Sequence, residues 1–198
     1  MKLGDYVKIR TGLPLSRKQA HPETAEHIYT ALTLKAQSAD GHIELDFTEV
    51  YYAIEPLKQE YFTNVGDVII RLSAPYTASV IDDGMDNLLI SQHFSIIKCH
   101  DTSLNPHFLR WWLTQNRKRF YQSASGATLM GTISSGYIGE LSFVPPPLNI
   151  QHEIGELLKL ATKETRLLAQ LSETKIKLIN AAITKIATDT MEVTTYDQ

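Results

Sequence analysis

The chain has 198 residues, of which 43% are hydrophobic and 21% are charged, and its formal net charge is −3. This composition is typical of an ordinary soluble protein with one domain and an appendage, and it argues against a disordered chain. No apolar run approaches about 20 residues, so we expect no transmembrane helix.

The N-terminal residues and the cysteine content bear on the compartment. The first five residues, Met-Lys-Leu-Gly-Asp, lack the apolar segment of a secretory signal. Cys99 is the only cysteine, so neither a disulfide framework nor a cysteine-based metal site is expected. The simplest expectation is a cytoplasmic protein.

The first hundred residues contain short apolar segments typical of β-strands. Turn sequences separate them at Thr-Gly-Leu-Pro (11–14), Ala-Asp-Gly-His (39–42) and Asp-Asp-Gly (82–84). The polar stretch 15–26 predicts a loop. The predicted strands are 3–10, 28–34, 68–72, 79–81, 88–90 and 94–98, with weaker extended segments at 43–47 and 48–53.

One helix is predicted in the middle of the chain. It begins at Asn105-Pro106 and runs to about Tyr121, because proline is tolerated in a first helical turn. The Gly/Ser/Thr-rich stretch 123–139 predicts a loop, and the segment from 138 or 141 to 144 predicts a last strand. Because the strands show no βαβ rhythm, the fold class is α+β, with a mixed β-rich domain over residues 1–148.

Three consecutive prolines, 145–147, precede a long amphipathic helix over 149–187. Prolines are excluded from helix interiors, whereas Asn149 is a favourable N-cap. A helix of this length spans about 55 Å, which is too long for one side of a small domain. The predicted organisation is therefore a domain (1–148), a helical arm (149–187) and a flexible tail (188–198).

The apolar residues of the arm recur at heptad spacing, with Lys175 as a polar exception that would fix the register. We favour an antiparallel coiled coil between two chains over docking on the chain's own domain. The candidate interface residues are Ile154, Leu157, Leu158, Ala161, Leu168, Leu171, Leu178, Ile179, Ala182 and Ile183.

Four motifs in one order resemble the specificity subunits of Type I restriction–modification enzymes. The clearest is the end of the domain, where Phe143, the prolines 145–147 and Leu148 precede Gln151 and Ile154. Upstream, the resemblance covers Val-Gly-Asp-Val-Ile-Ile (65–70), Leu-Asn-Pro-His-Phe-Leu (104–109) with Trp-Trp-Leu (111–113), and Ser-Gly-Ala-Thr (125–128). Full-length family members have two recognition domains and two long helices, so this chain resembles half of such a subunit.

The resemblance implies a target recognition domain that reads double-stranded DNA and carries no catalytic group or cofactor of its own. It also implies a modification subunit that flips and methylates adenine with S-adenosylmethionine, and in full complexes a restriction subunit. A homodimer would then read a palindromic bipartite site. The alternative is a coiled-coil protein-interaction module without DNA binding.

Motif content indicates a non-catalytic role, and charge bears on whether the partner is DNA or protein. The seven histidines show no metal-site spacing, so no metal is expected, and no nucleophile elbow or phosphate-binding loop is present. The chain also lacks the Asp/Asn-Pro-Pro-Tyr/Phe motif of adenine methyltransferases. Residues 1–148 contain 13 Lys and Arg against 15 Asp and Glu, a net charge of −2, which favours the protein-interaction alternative.

Three groups of residues are candidates for DNA contacts. Arg71 follows an apolar strand, where it can clamp guanine O6 and N7; such a contact contributes about 1–3 kcal/mol of discrimination, and the alternative is a structural salt bridge. Basic residues in 10–18 are candidate phosphate contacts. The small residues of 123–137 allow close approach to a duplex or form a plain connecting loop.

His93 is either an ordinary surface histidine or a base contact. The full set of candidate DNA contacts is Arg10, Ser16, Arg17, Lys18, Arg71, Ser73, Tyr76, Gln92, His93, Ser125, Thr128, Met130 and Tyr137.

Overall fold

The structure is a computed structural model that describes residues 1–99, 104–127 and 131–195, and only the backbone of 125–127 and 188–195. The chain divides into two compact units, residues 1–155 (the first unit) and residues 156–198 (the second unit).

Two β-sheets form the centre of the first unit. A four-stranded antiparallel sheet has the order β1-β7-β4-β5, and a three-stranded sheet has the order β3-β2-β6 with β6 parallel to β2. The strands are β1 (Val7–Thr11), β2 (His27–Leu32), β3 (Glu49–Ala53), β4 (Val68–Arg71), β5 (Ala78–Val80), β6 (Leu89–Ile90) and β7 (Phe94–Cys99).

The four-stranded sheet is buried on both faces because its strands alternate between two hydrophobic clusters. On β7, Ile97 points to a cluster shared with helices, whereas Phe94 and Ile96 point to a cluster shared with the second sheet. The helices of the first cluster are α1 (Pro106–Gln115), α2 (Arg117–Ala127) and α3 (Ser135–Glu140). The prediction of an α+β, β-rich domain is confirmed.

The predicted helix 105–121 is instead two helices. Asn105 caps α1, because its Oδ1 accepts the N–H groups of His107 and Phe108. At Asn116 the backbone N–H and the side-chain amide both bond back to carbonyls of α1, which ends the helix. The α2 helix then extends into the stretch that the sequence predicts as a loop.

Two further sequence predictions between 123 and 144 are wrong. The loop contains α3, which forms because Ser134 Oγ accepts the N–H of Tyr137 at 3.1 Å. The last strand is reduced to an isolated bridge between Lys2 and Ser142, beside which the Phe143 N–H donates to the Met1 carbonyl at 3.0 Å.

A single helix, α4 (Leu148–Thr195), follows the prolines and has 48 residues. It confirms the predicted long C-terminal helix and continues eight residues beyond the predicted end. The prediction of Asn149 as N-cap is wrong: the Gln151 N–H already donates to the Pro147 carbonyl at 3.1 Å, so Asn149 lies inside the first turn.

The start of α4 is tied to the start of α1 through Gln151, whose side chain is 1% exposed. Gln151 Oε1 accepts the backbone N–H of Asn105 at 2.9 Å, and Nε2 donates to the Pro146 carbonyl at 2.9 Å. One turn later, Ile154 packs against the hydrophobic cluster that the four-stranded sheet shares with the helices. The first two turns of α4 are therefore part of the first unit.

Replacing Gly155 with alanine should destabilise this junction, because an added Cβ would lie 2.8 Å from Asn105 Oδ1. Overpacking of this kind costs about 1–3 kcal/mol of unfolding free energy. Thermal unfolding would show a lower midpoint for Gly155→Ala. The matched control is Gly136→Ala, whose added Cβ would meet nothing closer than Ser134 Oγ at 3.8 Å. Equal midpoints for the two variants would contradict the described packing at Asn105.

Candidate nucleic-acid interface

One end of the four-stranded sheet brings several of the predicted contact residues together. Strands β1 and β4 end here and β7 begins, with Thr11 paired to Ser95 and Arg71 paired to Phe94. We call this end the strand-end rim. It consists of Thr11, Arg71, Ser73, Gln92, His93, Thr132, Ser134 and Ser135.

Arg71 is the last residue of β4 and the principal cation of the rim. Its Nε donates to Ser73 Oγ at 3.2 Å. In the described part of the chain, no carboxylate lies within 4 Å of its guanidinium. The structural salt bridge that was the alternative for Arg71 is therefore not found there, and the Nη groups keep their donors for a ligand.

Tyr76 lies in the core, which corrects its prediction as a DNA contact. Only 1% of Tyr76 is exposed, and its ring packs edge-on against Tyr121 at 4.9 Å. Its hydroxyl donates to the Gly131 carbonyl, and burial raises the pKa of that hydroxyl. These contacts hold a non-glycine residue at φ 53°, in the left-handed region.

The role of Tyr76 is to fix the turn beside Arg71. The Tyr76 N–H donates to the Ser73 carbonyl at 2.9 Å, which closes the turn 73–76. Ser73 then forms an isolated bridge with Thr132, and the Ile133 N–H donates to the Leu72 carbonyl at 2.8 Å. The segment 131–133 is thereby held against the end of β4.

Gln92 and His93 lie in the turn before β7, and both are exposed. Backbone bonds hold this turn: the Gln92 N–H donates to the Leu13 carbonyl at 2.9 Å, and the Leu72 N–H donates to the His93 carbonyl at 2.9 Å. These bonds bring His93 next to the end of β4.

A row of hydroxyls continues the rim toward β1. Ser135 Oγ lies 2.6 Å from Ser95 Oγ and also bonds Thr11 Oγ1. Hydroxyls both donate and accept, so this row is suited to phosphate oxygens and to base edges. Thr11, Thr132, Ser134 and Ser135 are not among the residues that the sequence predicts as contacts. Thr132, Ser134 and Ser135 lie in the small-residue stretch 123–137, whereas nothing in the sequence separates Thr11 from an ordinary strand residue.

The predicted basic cluster at 10–18 is largely neutralised. Arg10 is ion-paired with Glu60, and Lys18 is ion-paired with Glu55. Ser16 and Arg17 are exposed in a 3₁₀ turn (Leu15–Arg17). Of this cluster, Arg17 is therefore the better candidate for a phosphate contact.

The remaining predicted contacts come from the stretch 123–137. Thr128 and Met130 lie outside the described residues, as does the Ser125 side chain. Tyr137 is half-buried, and its hydroxyl donates to the Arg119 carbonyl at 3.3 Å. This hydroxyl therefore connects α3 to α2.

Among the described residues, no group of three or more His, Cys, Asp and Glu side chains is arranged to hold a metal ion. In the same ranges, no helix combines the length and the apolar character that a membrane span requires.

Sequence comparison and structure comparison give different results. No protein-family model matches the sequence, and no curated protein matches it. Solved structures do match. A chain from a structure on complex assembly and conformational transition of the type I R-M system has a TM-score of 0.62 at 20% identity, over 90% of this chain and 42% of that chain.

Two S subunits match as well. The HsdS subunit from Thermoanaerobacter tengcongensis has a TM-score of 0.55 at 18% identity, over 85% of this chain and 38% of that chain. The Type-I restriction-modification system S subunit from M. genitalium has a TM-score of 0.55 at 14% identity, over 89% of this chain and 42% of that chain.

The chain thus spans about two fifths of the length of the solved chains that it matches. At these identities the comparison identifies the fold: the chain has the fold found in Type I restriction–modification specificity subunits, a β-rich unit followed by a long helix.

Proposed function

We propose that this chain is a DNA-sequence recognition subunit of a Type I-like restriction–modification complex. The observation that carries the proposal is the strand-end rim, where Arg71 projects from a rigid strand end without a carboxylate partner among the described residues. An arginine held in this way can bind guanine O6 and N7 with both Nη groups. The fold of the solved S subunits supports this assignment.

The subunit would have no catalysis of its own. A modification subunit would bind S-adenosylmethionine and methylate an adenine flipped out of the duplex, and a restriction subunit would join the full complex. The rim residues would read a few base pairs, mainly in the major groove, while Arg17 and backbone N–H groups contact phosphates. This division of labour accounts for the absence of a catalytic motif in the sequence.

Dimerisation is the second part of the proposal. The apolar stripe of α4 is exposed in the second unit, including Leu157, Leu171 and Leu178 at 64–69% exposure. Two such helices in an antiparallel coiled coil would bury these side chains and join two recognition units. Because the dimer has two-fold symmetry, its target would be a palindromic bipartite site.

A protein-interaction module remains the second candidate, favoured by one surface. Ile28, Val50 and Ile54 are 60–64% exposed on and just beyond the hairpin of β2 and β3. Exposed apolar side chains grouped in this way are typical of a protein-binding patch. A DNA-recognition subunit could use the same patch for its modification subunit, so the patch alone does not exclude the first candidate.

Selection from a pool of randomised duplexes, with a partner methyltransferase subunit present, tests the proposed function. We expect enrichment of one bipartite sequence whose two halves are related by two-fold symmetry. Enrichment should disappear when this chain is omitted. If the complete complex enriches no sequence, the protein-interaction module becomes the better account.

A further inference from the structure

The second unit presents a long apolar stripe, and three charged residues interrupt it. We number the heptads with Leu168 at position a and Leu171 at position d. The interruptions are then Glu164 at d, Lys175 at a and Lys185 at d. All three are exposed. The a positions of the second unit are 161, 168, 175 and 182, and its d positions are 157, 164, 171, 178 and 185.

These charges decide between the two directions in which a second copy can pack. In a parallel pair every residue faces its own copy, so Glu164 would meet Glu164, and each lysine would meet the same lysine. Like charges placed in contact at an interface cost several kcal/mol. In an antiparallel pair the a positions of one helix face the d positions of the other, so that opposite charges can meet.

We propose that α4 pairs with α4 of a second copy in one antiparallel register, with Glu164 opposite Lys175 and the two-fold axis between Ala169 and Gln170. This inference deepens the proposed function, on whose dimer it rests, by naming the partner surface and its alignment. The Glu164–Lys175 pair occurs twice in the dimer, once on each side of the axis.

The layers from Leu157 to Ala182 are otherwise apolar and matched in size, and Lys185 lies outside them, level with Ile154 of the first unit. Leu168 faces Leu171 at the axis, and each of the outer layers places one leucine against one alanine. Such large–small layers allow the helices to approach closely without overpacking. The two outer layers are Ala161 with Leu178, and Leu157 with Ala182.

The registers shifted by one heptad lack this match. A shift in one direction places Glu164 against Leu168 and Lys175 against Leu157, and the opposite shift places Glu164 against Ala182 and Lys175 against Leu171. Either shift leaves both copies of Glu164 and of Lys175 at an apolar layer without partners, and burying an unpaired charge is strongly unfavourable. The proposed register leaves only Lys185 without a partner, at the ends of the paired segment.

The flanking positions add no competing signal. The residues at e (158, 165, 172, 179) and g (160, 167, 174, 181) carry no charge. In many coiled coils charges at e and g choose the partner and its alignment. Here Glu164 and Lys175, within the stripe itself, determine the alignment of the two helices.

The proposed register fixes a distance. Gly155, the last residue of the first unit, lies opposite Thr184 of the second copy. At 1.5 Å per residue, the two Gly155 residues of the dimer would therefore be about 44 Å apart along the helix axis.

Disulfide trapping of the full chain tests the register. In the double variant Ala161→Cys with Leu178→Cys, the two cysteines are too far apart to link within one helix, but each faces the other cysteine of the second copy. We expect near-complete disulfide-linked dimer under mild oxidation. Burial raises the pKa of Cys99 to about 11, so this thiol stays protonated and the parent chain should remain unlinked.

The control double variant, Ala161→Cys with Lys185→Cys, faces its own cysteines only in a register shifted by one heptad. We expect no linked dimer from it. Linking of this control, or a dimer in which neither variant links, overturns the proposed register and leaves the DNA-recognition proposal standing. Conversely, correct linking together with a failed duplex selection would contradict the DNA-recognition proposal alone.

Charge reversal gives an independent test. Glu164→Lys alone and Lys175→Glu alone should each weaken dimerisation at least about tenfold, because like charges then face each other. The two reversals combined should restore the dimer dissociation constant to within about threefold. Glu173→Lys, at an outward f position, is the matched control and should change little. If the combined variant is as weak as the single variants, Glu164 does not face Lys175.

Discussion

Replacing Leu168 and Leu171 together with aspartate should convert the chain from a dimer to a monomer. The pair forms the central layers of the proposed coiled coil, and each replaced leucine removes about 2–5 kcal/mol of buried apolar contact. Four leucines are replaced per dimer, and the introduced carboxylates would also face each other. Light scattering at micromolar concentration should give the dimer mass for the parent chain and the monomer mass for the variant.

The matched control carries aspartate at two outward f positions, Lys159 and Arg166, with the same number of helical residues changed. This control should remain dimeric. Circular dichroism should show that the β-rich unit is folded in both variants. A monomeric parent chain at micromolar concentration would contradict dimerisation through α4.

Replacing Arg71 with alanine should change sequence preference more than general affinity for DNA. A bidentate arginine–guanine contact contributes about 1–3 kcal/mol of discrimination, which corresponds to roughly a 5- to 150-fold loss of preference at one base pair. Competition between the selected duplex and single-base variants, with the modification subunit present, measures this loss directly.

The comparison for Arg71 is Arg17→Ala, which should weaken binding to every duplex by a similar factor. Lys18→Ala should have a smaller effect than Arg17→Ala, because Lys18 is ion-paired with Glu55. If Arg71→Ala lowers affinity equally for all sequences, the assignment of base readout to Arg71 is wrong.

The elements that the sequence predicted correctly are those with strong local periodicity. Strands β4 and β7 are short, nearly continuous apolar runs, and α4 shows an apolar stripe over several heptads. The cap at Asn105 is also local, because the side chain bonds N–H groups only two and three residues away. Patterns of this kind are fixed by neighbouring residues and can be read from one sequence.

The parts that could not be predicted depend on contacts between distant residues. Nothing near Arg10 indicates that Glu60 neutralises it, since 50 positions separate the two. Tyr76 has the polar hydroxyl of a contact residue, and its burial against Tyr121 becomes visible only once α2 is in place. The Gly/Ser-rich composition around α3 predicts a loop, but the cap at Ser134 and packing of Ile138 in the core stabilise a short helix.

Charge provides the sharpest test of the central proposal, which is recognition of DNA together with a modification subunit. Residues 1–148 carry a net charge of −2, and Arg10 and Lys18 are both ion-paired. The chain alone can therefore neutralise few phosphates, so its binding should be weak and only slightly dependent on salt. A basic partner that encloses the duplex should increase both the affinity for DNA and the dependence of that affinity on salt.

The measurement is the affinity for one selected duplex across a salt series, with and without the modification subunit. Each neutralised phosphate contributes about −0.9 to the slope of log affinity against log salt on duplex DNA. We predict a shallow slope for the chain alone, and a steeper slope with tighter binding when the partner is added. Tight binding with a steep slope by the chain alone, or no effect of the partner on slope and affinity, would contradict the account.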